Sequence, residues 1–556
     1  MTRADVVALL EEYAVLLDLI NEDEFRAKAF ANAARQLDSV SATLDELLIG
    51  DRLSKVRGVG AAVAQCIRDA VTTGTFADLD AARVRVPSGV LELMKVDGLG
   101  PKKARTLWKD ANVESLADLE AAIEAGSLTK LSGFGGKTVE KFSASLAFLK
   151  TIGSRRLRHH AKAVAAQVEQ QIAAIPGVIS VHFCGSLRRC SETVGDLDCI
   201  VGADTADHDV LKRYFTKLPE LIWHNTDSPV WSGKHISGME IELSICSPAE
   251  LGTKLVLATG SKPHIAELQV RGLIPSASTE EDVYGALGLI VVPPPLREDG
   301  LKLRSDGEAP YPAALTRKDI RGILHVHTTY SDGQHTLRQM AEAMIARGFE
   351  FLGIADHSKA AAYANGLTPD RVLQQWEEID LLNDELAPFK ILKGTECDIL
   401  TDGRLDFDES LLAGFDFVVA SIHSGFGMTE EQATDRLCKA LENPHVDILG
   451  HPTGRLLLKR EGYPVNHDRV LECTAKNGKS IELNCNPHRL DLDWRWFPRA
   501  LELKIPIPLN PDSHTIEELD DIEFGIDLAS KGPIPRELCP SAWSADEFLA
   551  WCRSHN

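Results

Sequence analysis

Two groups of residues in this 556-residue chain have side chains and spacings that suit phosphate chemistry with divalent metal ions. The first is the pair Asp196 and Asp198, in the stretch GSLRRCSETVGDLDCIV at 185–201. Residues i and i+2 of a strand point to the same face, so the two carboxylates can hold one ion together. The Gly-Ser turn and the two arginines that precede them suit a phosphate chain. Such a site usually takes a third carboxylate from a neighbouring strand.

The second group consists of histidines and acids at the ends of successive apolar β runs after residue 320. These residues are His325, His327, Asp332, His357, Glu396, His423, His451, Asp512 and His514. A barrel that gathers its strand ends at one face brings such residues together. Imidazole and carboxylate groups are the ligand set for Mn, Fe or Zn. A single histidine at a strand end is more often a hydrogen-bonded structural residue than a metal ligand. Nine residues of metal-ligating type at the ends of successive strands, however, indicate a metal cluster.

These residues belong to regions with different patterns. Up to about residue 150, short amphipathic segments separated by glycines predict helices. Next, a long helix is expected to open in GSRRLRHHAK (153–162), and runs such as LDCIVGAD predict strands of an α+β region. The proline- and glycine-rich segment 290–321 predicts a linker. After it, β runs alternate with helical segments, which predicts a parallel sheet of barrel type. A chain of this length is expected to form three to five domains.

Three similar glycine turns interrupt the N-terminal helices: RGVGAAVAQCI (57–67), DGLGPKKARTL (97–107) and SGFGGKTVEKF (132–142). A G-x-G turn that opens a helix leaves free N–H groups at the positive end of the helix dipole, which suits a phosphate. One such turn also serves as a plain helix connection. Three of them resemble helix-hairpin-helix motifs and indicate sequence-independent contact with a nucleic-acid backbone. The candidate DNA-binding residues are Gly58, Gly60, Gly98, Gly100, Lys102, Lys103, Gly133, Gly135 and Lys137.

The composition, 44% hydrophobic and 26% charged, is that of a globular protein. The net charge of −22 argues against a nucleic-acid partner, but residues 1–150 carry 19 basic and 22 acidic residues and are nearly neutral. Eleven cysteines without a C-x-x-C pair favour reduced thiols. No apolar run approaches the roughly 20 residues that span a bilayer, and the N-terminal segment is amphipathic rather than a signal peptide. We therefore expect a cytoplasmic monomer without membrane contact.

The C-terminal region resembles the PHP (polymerase and histidinol phosphatase) domain. The matching segments are HVHTTYSDG (325–333), ADH (355–357), GTE (394–396), SIH (421–423), GHP (450–452) and PDSH (511–514). The resemblance implies a distorted seven-stranded β/α barrel, up to three metal ions and hydrolysis of phosphoesters. The nine residues of the second group fill all nine ligand positions that it implies.

Together with the glycine turns and the GS…GDLD stretch, this region makes almost the whole chain similar to bacterial family X DNA polymerases. That resemblance implies that Gly185, Ser186 and Arg189 hold a nucleotide triphosphate. It implies that Asp196 and Asp198 coordinate two Mg or Mn ions for nucleotidyl transfer. A later T-G-S motif, here Thr259, Gly260 and Ser261, would support the nucleotide.

Several positions depart from the family pattern. The third carboxylate, an aspartate in R-x-D-L-R, is Glu242, and the flanking arginines are Glu240 and Ser244. An error of about 1 Å in placement can cost about 10²-fold in rate, so the longer glutamate puts polymerisation in doubt. The aromatic pair before T-G-S is Leu257-Ala258, and the asparagine after it is Ile265. The lysine of an abasic-site lyase aligns with Cys66, which argues against that reaction.

The resemblances imply a multidomain fold. It consists of an all-α helix-hairpin-helix N-terminal region, an α+β nucleotidyltransferase-type palm with a small thumb, and a C-terminal distorted (β/α)7 PHP barrel. The implied boundaries are a helical DNA-binding domain at 1–80, a fingers-like helix-hairpin-helix domain at 81–150, the palm at 151–245, a thumb-like subdomain at 246–295, the linker at 296–320 and the PHP domain at 321–556.

The leading hypothesis is a DNA-repair protein that binds gapped, nicked or 3′-recessed DNA. The PHP domain would act as a metal-dependent 3′→5′ exonuclease or 3′-end phosphoesterase with Mn, Zn or Fe. Gap filling with dNTPs would depend on Asp196, Asp198 and Glu242. Two alternatives stay open: a small-molecule phosphatase of the histidinol-phosphatase type, and a DNA-targeting module whose polymerase is inactive.

Overall fold

The computed structural model describes residues 3–21, 24–39, 44–56, 58–204 and 208–555. The chain forms two compact units, Met1–Gly153 and Ser154–Asn556. Arg57, the first residue of the first glycine turn, lies outside the described residues. Within the described ranges, no helix is both long enough and apolar enough to cross a membrane.

The described residues of the first unit form helices and turns, as the glycine-separated amphipathic segments predict. The α-helices are α1 (Arg3–Ile20), α2 (Glu24–Ser39), α3 (Leu44–Leu48), α4 (Ala61–Thr73), α5 (Ala77–Arg85), α6 (Ser88–Leu93), α7 (Pro101–Ala111), α8 (Leu116–Glu124) and α9 (Gly136–Ile152). Their apolar faces share one core. Within it, the ring of Tyr13 packs edge-on against Phe30 and Phe76, with centroids 4.7 and 5.3 Å apart. Such pairs contribute about 0.5–1.5 kcal/mol each beyond the burial of their area.

The second unit begins with a five-stranded sheet. Its strands, in spatial order, are β2 (Val178–Phe183), β4 (Asp196–Ala203), β7 (Glu240–Cys246), β6 (Val230–His235) and β5 (Leu221–Asn225). Strands β4 and β7 pair in parallel, and the other neighbours are antiparallel. The short strands β1 (Arg156–Leu157) and β3 (Thr193–Val194) pair separately. The helices of this part are α10 (Arg158–Ala173), α11 (Gly185–Arg188), α12 (His208–Phe215), α13 (Leu251–Thr259), α14 (Lys262–Arg271) and α15 (Glu280–Ala286).

Two elements of this part differ from the sequence prediction. The helix predicted to open in 153–162 begins at Arg158, because Arg156–Leu157 pairs with Thr193–Val194 as a strand. The apolar runs that predict strands here are VISVHFCGS, LDCIVGAD, ELIWHN and GMEIELSICS. They do not include strand β6, since the Ser, Gly and Lys of VWSGKH break its apolar pattern. It forms because β5 and β7 pair with it on both sides and Trp231 is buried. Sheet pairing here overrides the weak local preference.

In the rest of the second unit, short parallel strands alternate with helices. The strands are β8 (Gly322–Val326), β9 (Phe351–Ile354), β10 (Lys390–Leu392), β11 (Gly394–Asp398), β12 (Phe417–Ser421), β13 (Ile448–Leu449), β14 (Ser480–Ile481), β15 (Leu483–Asn484) and β16 (Leu509–Asn510). The helices are α16 (Leu337–Ala346), α17 (Pro369–Glu385), α18 (Glu409–Leu412), α19 (Glu430–Leu441), α20 (His467–Lys476), α21 (Phe497–Glu502), α22 (Ile522–Ala529) and α23 (Ala545–Cys552).

These strands pair in three parallel sheets that single bridges connect. One sheet contains β8, β9 and β10, another β11 to β14, and a third β15 and β16. Parallel bridges join Val326 to Ser513 and His357 to Glu396. The strands are buried along almost their whole length, as expected of parallel strands covered by helices on their faces. The carboxyl ends of successive strands therefore lie at one side of this region.

The segment predicted as a linker, 296–320, packs against the preceding helices. Leu296 and Leu303 join a hydrophobic cluster with Val256, Leu268 and Tyr284. The side chain of Arg297 is fully buried, and it donates a hydrogen bond to Val292 O at 2.8 Å. The first part of the segment is thus ordered by burial rather than by regular secondary structure.

Candidate active sites

The structure brings all nine predicted metal-ligating residues together. Most of them form three groups, and the ligand atoms within each group lie within 4.8 Å of one another. The groups are His327, Asp332, His357 and His514; His325, His327 and Asp512; and His357, Glu396 and His423. His451 joins them, since its Nε2 lies 2.9 Å from Glu396 Oε1. Because the groups share His327 and His357, the nine residues make one continuous cluster, called the metal cluster below.

The ends of parallel strands position the metal cluster. The bridge between His357 and Glu396 aligns the residues that follow β9 with those of β11. Ser513, between two of the ligand residues, bridges to Val326 at the end of β8. Asp512 has φ +58°, in the left-handed region. Non-glycine residues there cost about 1–3 kcal/mol and occur preferentially at functional sites, where the surrounding structure holds them.

Glu396 lies at the centre of the metal cluster and is 1% exposed. Its Oε1 is 3.1 Å from His423 Nε2, and its Oε2 is 3.0 Å from His357 Nδ1. At the periphery, His514 Nε2 lies 3.3 Å from Asp332 Oδ1, and both side chains are about one-third exposed at 30% and 32%. The cluster is therefore closed around Glu396 and open to solvent beside Asp332.

Glu482, which is absent from the predicted ligand set, contacts two ligand residues of the metal cluster on the side away from the other ligands. It is fully buried. Its Oε1 lies 2.7 Å from His325 Nδ1, and its Oε2 accepts a hydrogen bond from the His451 N–H at 2.8 Å. A carboxylate on the outer nitrogen of a ligating histidine fixes the tautomer and the ring orientation. Glu482 thus turns His325 Nε2 towards Glu396 and Asp512.

Two further supporting residues lie in β runs that end at the cluster. Asn484 Nδ2 donates to Asp512 Oδ2 at 3.1 Å, and Asp398 Oδ1 lies 3.3 Å from His423 Nδ1. Asn484, in SIELNCNP, and Asp398, in GTECDIL, are polar residues inside apolar runs. That interruption of the pattern is the sequence signal that identifies them.

The metal cluster has the properties expected of a site for divalent ions. His327 Nδ1 and His451 Nδ1 are buried and have no hydrogen-bond partner among the described residues. His325 Nε2 lies 3.4 Å from Glu396 and 3.5 Å from Asp512, without hydrogen-bond geometry. Buried polar atoms without partners are rare, and ions bound in the cluster would account for those of His327 and His325. Mixed imidazole and carboxylate donors suit transition metals.

The protonation states in the cluster are divided. Burial would lower the pKa of His423 and His514, but the nearby carboxylates outweigh it and raise the pKa to about 10 and about 9, so these imidazoles must lose a proton when an ion binds. Two other members already have the form that binds metal. Burial lowers the pKa of His327 to about 3, and His514 and His357 add to the effect. Burial would raise the pKa of Glu396, but the nearby histidines His423, His325 and His357 outweigh it and hold that pKa well below its usual range. A neutral imidazole and an ionised carboxylate are the forms that bind metal.

The second candidate site lies on the parallel strands β4 and β7. Asp198 is paired with Glu242 and Asp196 with Glu240, so that all four acids lie on one face of the sheet. Burial, Asp196 and Glu242 raise the pKa of Asp198 to about 7. Glu240 is paired with Lys234 of β6, whose Nζ lies 3.0 Å from Glu240 Oε1. The three predicted carboxylates are therefore neighbours with an excess of negative charge, which a divalent cation would relieve.

Gly185 fits tightly against Asp198. It has φ +57°, and a Cβ at this position would lie 1.7 Å from Asp198 Oδ2. Only glycine satisfies both conditions. The following Ser186 accepts the Ser191 N–H through its backbone oxygen at 3.0 Å, which closes the Gly-Ser turn beside the carboxylates.

The T-G-S motif connects α13 to α14. Ser261 Oγ accepts the His264 N–H at 3.3 Å and so caps α14. Thr259 is fully buried, and its backbone oxygen accepts a hydrogen bond from Arg189 Nη1 at 2.9 Å. A Cβ at Gly260 would lie 2.6 Å from Ile265 Cδ1. The motif is adjacent to the Gly-Ser turn, but its polar groups also have structural roles.

Arg189, the residue predicted to hold a triphosphate, has partners from outside the sheet. Its Nε lies 3.1 Å from Glu298 Oε1. Lys531, which follows α22, donates to the same Glu298 oxygen at 2.6 Å and to Arg189 O at 2.8 Å. The carboxylate of Glu298 thus pairs with the Arg189 guanidinium, which the resemblance predicts to bind a phosphate.

The three glycine turns have the same geometry. The first glycine is left-handed in each: φ is +82° at Gly58, +78° at Gly98 and +87° at Gly133. The middle residue is buried in each: Val59, Leu99 and Phe134. The second glycine is the N-cap of a helix and has no side-chain cap: Gly60 before α4, Gly100 before α7 and Gly135 before α9. A Cβ at any of these three would meet nothing within 4 Å, so the helix N-termini are open.

The three predicted lysines flank two of these N-termini. Lys102 and Lys137 are exposed. Lys103 Nζ donates to Gly98 O at 3.3 Å and lies over the ring of Phe142. Open N–H groups with neighbouring lysines form a surface that suits phosphates.

Comparisons with protein families divide the chain in a similar way. The helix-hairpin-helix domain matches residues 1–76, and the SAM-like helix-hairpin-helix tandem matches residues 90–142. These matches include all three glycine turns. The PHP domain matches residues 324–486, which include seven of the nine ligand-type residues and Glu482.

Individual relatives extend these matches. The chain is 36% identical, over 558 residues, to the DNA polymerase/3′-5′ exonuclease PolX of Bacillus subtilis strain 168, with 96% of each chain covered. It is 31% identical to a probable phosphatase of Caldanaerobacter subterraneus subsp. tengcongensis, with 40% of this chain and 88% of the relative covered. A probable phosphatase of Acetivibrio thermocellus is 32% identical, with 29% and 63% covered. One relative therefore matches along nearly the whole chain, and the phosphatases match only part of it.

Proposed function

The chain belongs to the family of bacterial family X DNA polymerases that includes PolX, and on that premise we propose that it repairs DNA by processing and filling 3′ ends. The metal cluster would shorten or trim the 3′ end. The carboxylates on β4 and β7 would add nucleotides. The observation that carries the proposal is the convergence of nine ligand-type residues in a chain that matches a polymerase/exonuclease along 96% of its length.

The region from residue 321 to the C-terminus is proposed to be a distorted (β/α)7 barrel. Parallel pairs and bridges run from β8 through β9, β11, β12 and β13 to β14, and β15 pairs with β16. The Ile481 N–H of β14 donates to Pro506 O, before β16, at 3.1 Å. The bridge from Val326 to Ser513, after β16, leads back to β8. Up to three Mn, Zn or Fe ions would be held by the three ligand groups. When bound, such ions activate water and neutralise charge on phosphoryl oxygens.

The protein's own residues would prepare that reaction. Glu482 fixes His325, and Asn484 fixes Asp512, so that the ligands need little reorganisation. The exposed side at Asp332 and His514 gives a 3′ end access to the cluster. The buried side around Glu396 excludes water that is not part of the reaction.

The five-stranded sheet is proposed to be a palm of the nucleotidyltransferase type, at 151–245, with a thumb-like subdomain at 246–295. Asp196, Asp198 and Glu242 would hold Mg or Mn for the addition of dNTPs. Gly185 and Ser186 would approach the triphosphate. Arg189 would do so after release from Glu298. Its present partner and the longer Glu242 side chain predict slow extension.

The first unit is proposed to bind the DNA backbone. Its open helix N-termini at Gly60, Gly100 and Gly135 would take phosphates, with Lys102 and Lys137 beside them. The implied domains are 1–80 and 81–150. Gapped, nicked or 3′-recessed DNA is the proposed partner, bound by a monomer in the cytoplasm.

One assay tests both activities. The purified protein receives Mn²⁺, a gapped primer–template and dNTPs, and is compared with Asp196→Ala and with the double variant His325→Ala/His327→Ala. We expect the histidine variant to lose shortening and Asp196→Ala to lose extension. Asp227→Ala and His445→Ala, which lie outside the two candidate sites, serve as matched controls.

The alternatives give different results in the same assay. If the primer is neither extended nor shortened but a small phosphate ester is hydrolysed, the protein is a phosphatase like the relatives of that name. If shortening persists in the double-histidine variant, the metal cluster is not the nuclease. If shortening occurs without any extension, the sheet is an inactive polymerase that serves only to target the protein to DNA.

A further inference from the structure

A tyrosine and an arginine border the metal cluster without a role in holding it. Tyr363 is 73% exposed, and its ring centroid lies 6.3 Å from that of His357. Arg489 Nε lies 3.7 Å from Asp512 Oδ2. His357 and Asp512 belong to different ligand groups, so the two side chains lie beside different parts of the cluster.

The loop that carries Tyr363 is fixed at both ends. The Ser358 N–H donates to Glu396 O at 3.0 Å, and the Leu367 N–H donates to His357 O at 2.8 Å. The neighbouring alanines of this loop, Ala361 and Ala364, are 1% and 2% exposed. Since the loop packs with its small residues inward, the aromatic ring is presented to solvent on a held backbone.

The phenol of Tyr363 interacts electrostatically with acids of the cluster. The charges of Glu396, Asp398 and Asp332 act on the phenol, and the charge of Arg489 acts on it in the opposite sense. The phenol therefore lies within electrostatic reach of the cluster and of Arg489. The exposed ring beside the cluster is available for stacking by a ligand.

The backbone of Arg489 is also held. Its N–H donates to Asn486 O at 2.8 Å, and its carbonyl accepts from Arg455 Nε at 2.9 Å. Among the residues that the structure describes, the guanidinium has only the 3.7 Å ion pair with Asp512. This distance exceeds that of a hydrogen bond, so the planar group keeps its donors for an anion.

We propose that Tyr363 and Arg489 form a clamp for the last nucleotide of a DNA 3′ end. The ring of Tyr363 stacks on the terminal base, and the guanidinium of Arg489 binds the phosphate next to the metal cluster. Stacking on an aromatic ring does not depend on base identity, which suits an enzyme that trims ends of any sequence. The clamp rests on the proposed nuclease function and adds to it how the substrate is positioned.

Binding of a DNA end can be measured without hydrolysis. A primer–template with 2-aminopurine as the last primer residue is titrated with protein in Ca²⁺, and its fluorescence and anisotropy are followed. We expect quenching by the wild type, less quenching and about tenfold weaker binding by Tyr363→Ala, and retained quenching by Tyr363→Phe. Tyr214→Ala, an exposed tyrosine outside the cluster, is the matched control.

The kinetics of DNA shortening distinguish a role of Tyr363 and Arg489 in positioning the DNA end from a purely structural role. With Mn²⁺, Tyr363→Ala and Arg489→Gln should each raise KM for DNA about tenfold with little change in kcat, because the clamp positions the end and takes no part in the chemical step. Metal content, measured on both purified variants, should match that of the wild type. Arg404→Gln, an exposed arginine paired with Asp402, controls for loss of charge. If the wild type shortens DNA and both variants match it in KM and quenching, the clamp is wrong and the nuclease proposal stands. If the wild type shortens no DNA, both fail.

Discussion

The metal cluster and the carboxylates of β4 and β7 use acidic residues in opposite ways. Glu396 is buried among histidines, and its pKa is held below its usual range, so it is ionised before any ion arrives. Asp198 is next to other carboxylates, and its pKa is raised to about 7. The first site is built of complementary groups, whereas the second depends on a cation to bring like charges together.

The surroundings of the two sites differ in the same sense. Glu482 and Asn484 hold ligands of the metal cluster and are themselves held in place. Asn510 Nδ2 donates to Glu482 Oε1 at 3.0 Å, and Asn484 Oδ1 accepts the Asn486 N–H at 3.1 Å. Beside the carboxylates of β4 and β7, Arg189, which follows α11, is bound to Glu298 and to Thr259. Preorganised groups contribute most to catalysis because they need no rearrangement. The difference indicates that the metal cluster is largely arranged for ion binding, whereas Arg189 must first exchange partners before it can bind a phosphate.

Removing the centre of the metal cluster should produce the largest effect. Glu396→Gln keeps the size of the side chain but removes a negative charge from three histidines. We expect shortening to fall by more than about 100-fold, since even residues that only support a metal ligand usually account for about 10–100-fold. Gap assays and metal analysis of the purified variant measure this.

Extension should be unchanged in Glu396→Gln, because Asp196 and Asp198 lie on a separate sheet. Glu431→Gln, in the exposed first turn of α19, is the control. Retained shortening with full metal content would show that the centre of the cluster lies elsewhere.

Loss of the supporting carboxylate should have a smaller effect. Glu482→Gln leaves every ligand in place but weakens the orientation of His325 and His451. Metal affinity and shortening should each fall about 10–100-fold, and added Mn²⁺ should restore part of the activity. Titration with Mn²⁺ distinguishes this from misfolding, and Glu472→Gln, which pairs with Arg499 elsewhere, is the control. If the Mn²⁺ dependence is unchanged, Glu482 does not orient the ligands of the metal cluster.

A substitution at the proposed polymerase site should raise activity, whereas the two substitutions above lower it. Glu242→Asp shortens the third carboxylate by one methylene and gives the side chain of the family pattern. If placement limits extension, the rate should rise about tenfold, because catalysis is sensitive to errors of about 1 Å. Glu242→Gln should lower it. Single-nucleotide gap filling with Mg²⁺ measures both, and slower extension by Glu242→Asp would show that the sheet has adapted to the glutamate.

Local patterns predict much of this architecture, and contacts between distant segments account for what they miss. The glycine turns are visible because Leu99 and its equivalents must be buried while the flanking glycines turn the chain. The ligands are visible because they end apolar β runs. Glu482 is harder to identify, since its role depends on His325, which is 157 positions away. The pairing of Lys531 with Glu298 across 233 positions has no local signal at all.

The smallest predicted effect concerns the stability of the metal-free protein. In EDTA, the raised pKa of Asp198 means that between about pH 4 and pH 7 the native state binds a proton that the unfolded state has lost. Stability therefore falls as pH rises through this window, and the loss is complete above pH 7.

Asp198→Asn has no such proton, so its Tm relative to the wild type should rise by a few degrees from pH 4 to pH 7 and then level off. Saturating Mg²⁺ should reduce the difference at pH 8, because the cation stabilises the ionised carboxylates. Asp227→Asn is the exposed control, and a pH-independent difference for Asp198→Asn would mean that the carboxylates of β4 and β7 do not repel one another.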